Sequence, residues 1–103
     1  MSTMLHLINK SPFDRNALDS SLRLAKAGSS VLLLEDGVYA AMSGGSYAKA
    51  VSDRMDELTF YVLGPDVSAR GLDDKPLIDG INVVDYGGFV DLVVDHDTAQ
   101  SWL

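Results

Sequence analysis

The chain contains no cysteine. That absence removes disulfides, thiolate metal sites and covalent thiol intermediates from what this polypeptide can do by itself, so any thiol chemistry around it belongs to a partner. Histidine is almost as scarce. His6 and His96 stand ninety residues apart and neither has a ligand spacing such as HxxxH, so no dedicated metal site is expected. Positive charge is short as well: 8 basic residues face 15 acidic ones, a formal charge of −7. Such a surface repels a phosphate backbone, and no direct contact with nucleic acid is expected. Nowhere do about 18 apolar residues follow one another, and residues 1–7 carry neither a basic start nor an export-length apolar run. A cytoplasmic protein without membrane association is the expectation.

What is present reads as one domain over residues 1–103, able to bury roughly 60 to 70% of its unfolded surface. Its organising stretch is Ser30-Val31-Leu32-Leu33-Leu34-Glu35-Asp36-Gly37. An apolar run that stops at an acidic turn is the pattern of a strand covered on both faces, as in a parallel sheet flanked by helices. Asp36-Gly37 would then mark the carboxyl end of that strand, where open α/β sheets place ligands and partners.

The remaining segments alternate in kind. Met4-Leu5-His6-Leu7-Ile8 predicts a first strand, and Ser11, Pro12 and Asp14 supply a start signal for a helix over 12–27, with Leu18, Leu22 and Ala25 on its inner side. Residues 37–42 predict a turn into a short helix, and 47–57 a second helix using Tyr47, Val51, Met55 and Leu58. A third strand is expected over 58–63, a single turn capped by Asp66 over 67–70, a fourth strand over 81–84, and a last helix with Phe89, Leu92, Val93 and His96 on one face. His96 is expected to cap the negative end of that helix, and Trp102 and Leu103 to pack on the body or on another subunit. The alternation predicts an α/β fold, a small flavodoxin-like or Rossmann-like layer sandwich with a mainly parallel sheet of four or five strands.

Several separated segments, in order and over essentially the whole length, carry a resemblance. His6, Lys10-Ser11-Pro12-Phe13, Leu33-Leu34-Glu35-Asp36-Gly37-Val38-Tyr39-Ala40-Ala41, Tyr61-Val62-Leu63-Gly64-Pro65-Asp66, Ala69-Arg70-Gly71, Val84-Asp85-Tyr86-Gly87-Gly88-Phe89-Val90-Asp91-Leu92 and the closing Gln100-Ser101-Trp102 together resemble the TusB/DsrH family. The resemblance implies a small subunit of a cytoplasmic sulfur-relay complex, assembled with TusC/TusD-like or DsrF/DsrE-like subunits as a dimer of heterotrimers. Its TusBCD branch serves 2-thiolation of the tRNA wobble uridine, and its DsrEFH branch serves dissimilatory sulfur oxidation. In both, the principal sulfur-accepting cysteine belongs to the TusD-like or DsrE-like partner. Some DsrH-type members carry a cysteine on helix 1 where this sequence has Ser21, which reads here as a small packing residue.

Two functional classes follow. In the first the chain is a noncatalytic subunit, without a cofactor, that holds thiol-bearing partners through an apolar surface drawn from Tyr39, Met42, Tyr47, Phe89 and Trp102, each of which has core packing as its alternative. Freed of those partners, it is expected to self-associate. In the second it is an independent nucleotide- or anion-binding module using Lys10, Ser11, Asp36 and Asp66 at strand ends. Capping and turn formation are the ordinary roles of those four, and a hydrogen-bonded core position is the ordinary role of His6.

Overall fold

The computed structural model describes residues 4–11 and 17–102. Five strands, β1 (Met4–Ile8), β2 (Ser30–Leu33), β3 (Thr59–Leu63), β4 (Asn82–Val84) and β5 (Thr98–Trp102), form one sheet in the order β4-β3-β2-β1-β5. Every pairing is parallel. The apolar run at β2 is the buried centre of this sheet: Val31 and Leu33 enter the larger core, Leu32 enters the smaller one, and all three are inaccessible to water. Each such side chain stabilises the fold by roughly 1.5–3 kcal/mol, which is why period-2 alternation is lost there.

The strand order dictates where the helices go. Passing from β1 to β2 to β3 to β4, the chain steps always in one direction. Its connections, α1 (Ala17–Leu24), the 3-10 helix Glu35–Ala41, α2 (Ala48–Ser52) and α3 (Gly64–Ala69), contribute Leu18, Leu22, Val38, Val51 and Val67 to the larger core. The last step runs back across the sheet from β4 to β5. Its helix, α4 (Tyr86–Asp95), lies on the opposite face, with Phe89 and Leu92 over Leu5, Leu32 and Val84. Right-handed crossovers produce this division: reversing the direction of travel reverses the face.

Several element boundaries differ from the sequence expectation. The helix expected over 12–27 is described from Ala17 to Leu24, and its inner residues Leu18, Leu22 and Ala25 are buried as expected; residues 12–16 lie outside the described residues. The helix expected over 47–57 closes at Ser52. Beyond it Arg54 donates to the carbonyls of Leu22 and Ala25, and the Gly28 amide donates to Glu57 O at 2.7 Å. Residues 53–57 therefore bind the open carbonyl end of α1, and this tertiary contact prevails over local helix propensity.

The turn expected over 67–70 with Asp66 as its cap is instead a helix from Gly64, preceded by Leu63 and with Pro65 in its first turn. Asp66 lies inside it, and its side chain serves the neighbouring connection. In α4, Asp85 caps the start by accepting from Gly88 N at 2.8 Å. His96 closes the end as expected, its Nδ1–H donating to Leu92 O at 2.6 Å, while Nε2 meets the Ser30 hydroxyl at 2.9 Å and ties the helix to the sheet. Val93 departs from the expected inner face and is 42% exposed.

Candidate functional site

The carboxyl edge of the sheet gathers the acidic turn after β2 and the start of α3 after β3. Ile8 O accepts from Leu34 N at 3.0 Å, and the backbone then folds so closely over β1 that a Cβ on Gly37 would run into that same Ile8 carbonyl. Glycine is required there for want of space. Two residues earlier Glu35 takes a left-handed conformation, φ 49°, unusual for a residue with a side chain. The Asp66 carboxylate holds it there by accepting from Glu35 N at 2.5 Å. Arg70, one turn further along, donates from Nε to Asp36 at 2.9 Å. Thus Asp36 and Asp66, expected at neighbouring strand ends, are brought together through Arg70 and Glu35, two residues the sequence reading did not single out.

This cluster fixes a loop. Its ion pair is partly exposed, a class of contact that contributes about 0–1 kcal/mol, and both carboxylates already have partners. Lys10 is exposed at the end of β1, and Ser11 follows it. No group of three or more His, Cys, Asp or Glu side chains suited to a metal ion occurs among the described residues. Beside the cluster lies a shallow cavity of about 390 Å³ between Tyr39, Met42, Leu72 and Pro76, with Lys75 as its charged group. Its walls are apolar, a surface for a hydrophobic group rather than for proton transfer.

His6 and Trp102 meet on the other side of β1. His6 is 3% exposed, and Trp102 Nε1–H donates to its Nδ1 at 3.0 Å. An indole nitrogen can only donate, so Nδ1 is the acceptor of a neutral ring. Burial lowers the His6 pKa from its ordinary value, in keeping with that neutral form. The hydrogen-bonded core role expected for His6 is the one observed. Ser21 is fully buried in α1, with its hydroxyl donating to Leu18 O at 2.9 Å, the packing role expected of it.

The expected interface residues do not form one patch. Trp102 is half-buried against the larger core, as are Met42 and Tyr47, while Phe89 belongs to the smaller core. Tyr39 alone is exposed, at 36%. The exposed large apolar side chains cluster instead on α4: Tyr86, Val90, Val93 and Val94. Six of the ten residues of α4 are large and apolar, and a helix apolar nearly all round is the signal that would have marked a second covered face.

The sequence pattern of the family described as DsrH like protein matches residues 10–99. The chain belongs to this family. It is 35% identical to protein TusB of Pectobacterium parmentieri over 99 residues, covering 96% of this chain and all of that one. Protein TusB of Escherichia coli strain K12 is 39% identical over 101 residues with the same coverage. Among solved structures, the ychN protein from E. coli superposes with a TM-score of 0.85 at 18% identity, covering 98% of this chain and 99% of that one. Protein MTH1491 from Methanobacterium thermoautotrophicum gives 0.75, also at 18% identity, with the same coverage. These two share the fold. Kinship with the TusB proteins over the whole length supports a sulfur-relay subunit role and membership of a complex with other Tus or Dsr subunits.

Proposed function

We propose that this DsrH-family chain is a noncatalytic subunit of a sulfur-relay complex serving 2-thiolation of the tRNA wobble uridine, holding cysteine-bearing TusC- and TusD-like subunits in a dimer of heterotrimers. The observation that carries the reading is full-length kinship with TusB proteins in a chain without a single thiol. In each relay step a thiolate attacks the outer sulfur of a persulfide, a new S–S bond forms, the old one breaks, and the donor leaves as a thiolate. A serine hydroxyl offers no such sulfur, and Ser21 is turned into the core with its proton on Leu18 O. Every transfer therefore takes place on partner chains, and this one contributes surface and geometry.

The experiment is reconstitution of the partner subunits with and without this chain, following labelled persulfide sulfur to its acceptor. Assembly and transfer should both fall when it is omitted; unchanged assembly and transfer would overturn the reading. A DsrH-type role in dissimilatory sulfur oxidation is the second reading, favoured by the family pattern being that of DsrH. Identification of the proteins that co-purify with the chain from its native host separates the two.

A further inference from the structure

Helix α4 is apolar on two sides, and the fold uses one. Phe89 and Leu92 turn onto the sheet. On the outer side Tyr86, Val90, Val93 and Val94 are 61, 59, 42 and 76% exposed. At 100° per residue these four fall on one continuous strip along the helix; beyond its Val94 edge come Asp91 and then, further round, Asp95, both exposed. The charge around the strip has one sign. From Pro76 to the end the chain has five aspartates and neither lysine nor arginine.

We propose that the outer face of α4 docks a different protein chain, whose matching surface is apolar and bordered by lysine or arginine. This rests on the subunit reading and adds which face carries the contact and what chemistry it selects. Charge chooses the occupant. A second copy docked face to face would set Asp91 and Asp95 against the same acidic residues of its twin, and like charges across a drying rim oppose association. Anionic lipid is repelled by the same aspartates. A basic border on an apolar patch satisfies both parts of the surface: the strip supplies the dry centre and the aspartates supply steering and register. Self-association of the isolated chain through α4 is accordingly weak and strengthens as salt screens the aspartates.

The test uses the full chain and the TusC- and TusD-like subunits of the same organism, with dissociation constants measured across a salt series. Wild-type chain should bind, less tightly as salt rises. Val90→Asp with Val94→Asp should weaken binding by at least about 100-fold. Asp91→Lys with Asp95→Lys leaves every apolar contact in place, at exposed positions that make no demand on folding. It should weaken binding by about tenfold at low salt and reverse the salt dependence, since lysine facing a basic border is a like-charge contact that salt relieves. If wild type binds and both double variants bind equally well, the α4 surface is wrong while the subunit reading stands. If wild type fails to bind at all, both fall. If the isolated chain forms a tight dimer that Val94→Asp dissolves, a second copy is the occupant and the proposal is overturned.

Discussion

Trp102 is the residue that the sequence left most open, since a large ring beside the last residue has either the body or another subunit to pack on. It packs on the body. Its indole N–H donates to His6 Nδ1, and β5 thereby closes against β1 through a side chain as well as through the ladder. A consequence for pH follows. Burial lowers the His6 pKa below the ordinary 6.5, so the unfolded chain binds a proton here at a higher pH than the folded chain does. The His6 contribution to stability is therefore complete above about pH 6.5 and is lost as pH falls toward the lowered value. Urea unfolding between pH 7.5 and 5 should show stability declining with acidification, and His6→Gln should flatten the part of the decline that lies just below pH 6.5. An equal slope in the variant would assign it to carboxylates. His6 as a core residue was legible in the sequence because it stands inside an apolar strand. The left-handed Glu35 was not, because nothing local requires it: the carboxylate that holds it comes from Asp66, thirty-one residues away.

Elements whose pattern is set by burial on a flat surface were legible, and those shaped by a distant partner were not. β2 and β3 follow from runs of large apolar and β-branched residues, and α1 follows from Leu18, Leu22 and Ala25 on one side. The second helix stops short of its sequence pattern because Arg54 is drawn to the end of α1, a contact that joins residues twenty-nine and thirty-two positions apart. β5 was hidden for another reason: its residues Thr98-Ala99-Gln100-Ser101 are exposed and carry no apolar alternation, and only pairing with β1 makes them a strand. The role of Arg54 can be measured. A guanidinium that meets two otherwise open carbonyls at a helix end is a charge-assisted contact, and its removal strands both. Arg54→Ala should destabilise the chain by about 1–3 kcal/mol in equilibrium unfolding. Lysine, which lacks the planar fork, should restore only part of this. A loss below about 0.5 kcal/mol would show that water replaces the guanidinium at no cost.

At the scale of the whole molecule, a parallel sheet offers its carboxyl edge to a ligand and its faces to other layers, and the two functional classes divide along that line. A nucleotide- or anion-binding module needs free donors at the edge. Here two donors of that edge are already engaged in holding the loop, the Glu35 amide on Asp66 and the Arg70 guanidinium on Asp36. A scaffold instead needs an uncovered face, and among the described residues α4 is the one helix on its side of the sheet, with four large apolar side chains turned outward and Leu7, Leu34 and Tyr61 half-buried in the core beneath. The contrast predicts what the isolated chain does with small ligands. A ligand at 100 times its dissociation constant stabilises the folded state by about 2.7 kcal/mol, and each kcal/mol raises the melting temperature of a domain this size by about 4–8 °C. Flavin mononucleotide, ATP, inorganic phosphate and Mg²⁺ at millimolar concentration should each leave the melting temperature within about 1 °C of its value without ligand. A rise of ten degrees with any of them would mean that the edge opens to bind it, and would favour the small-ligand class over the scaffold. Addition of the partner subunits at micromolar concentration should raise the melting temperature where the small molecules do not, because the surface that remains to be covered is broad and apolar rather than small and polar.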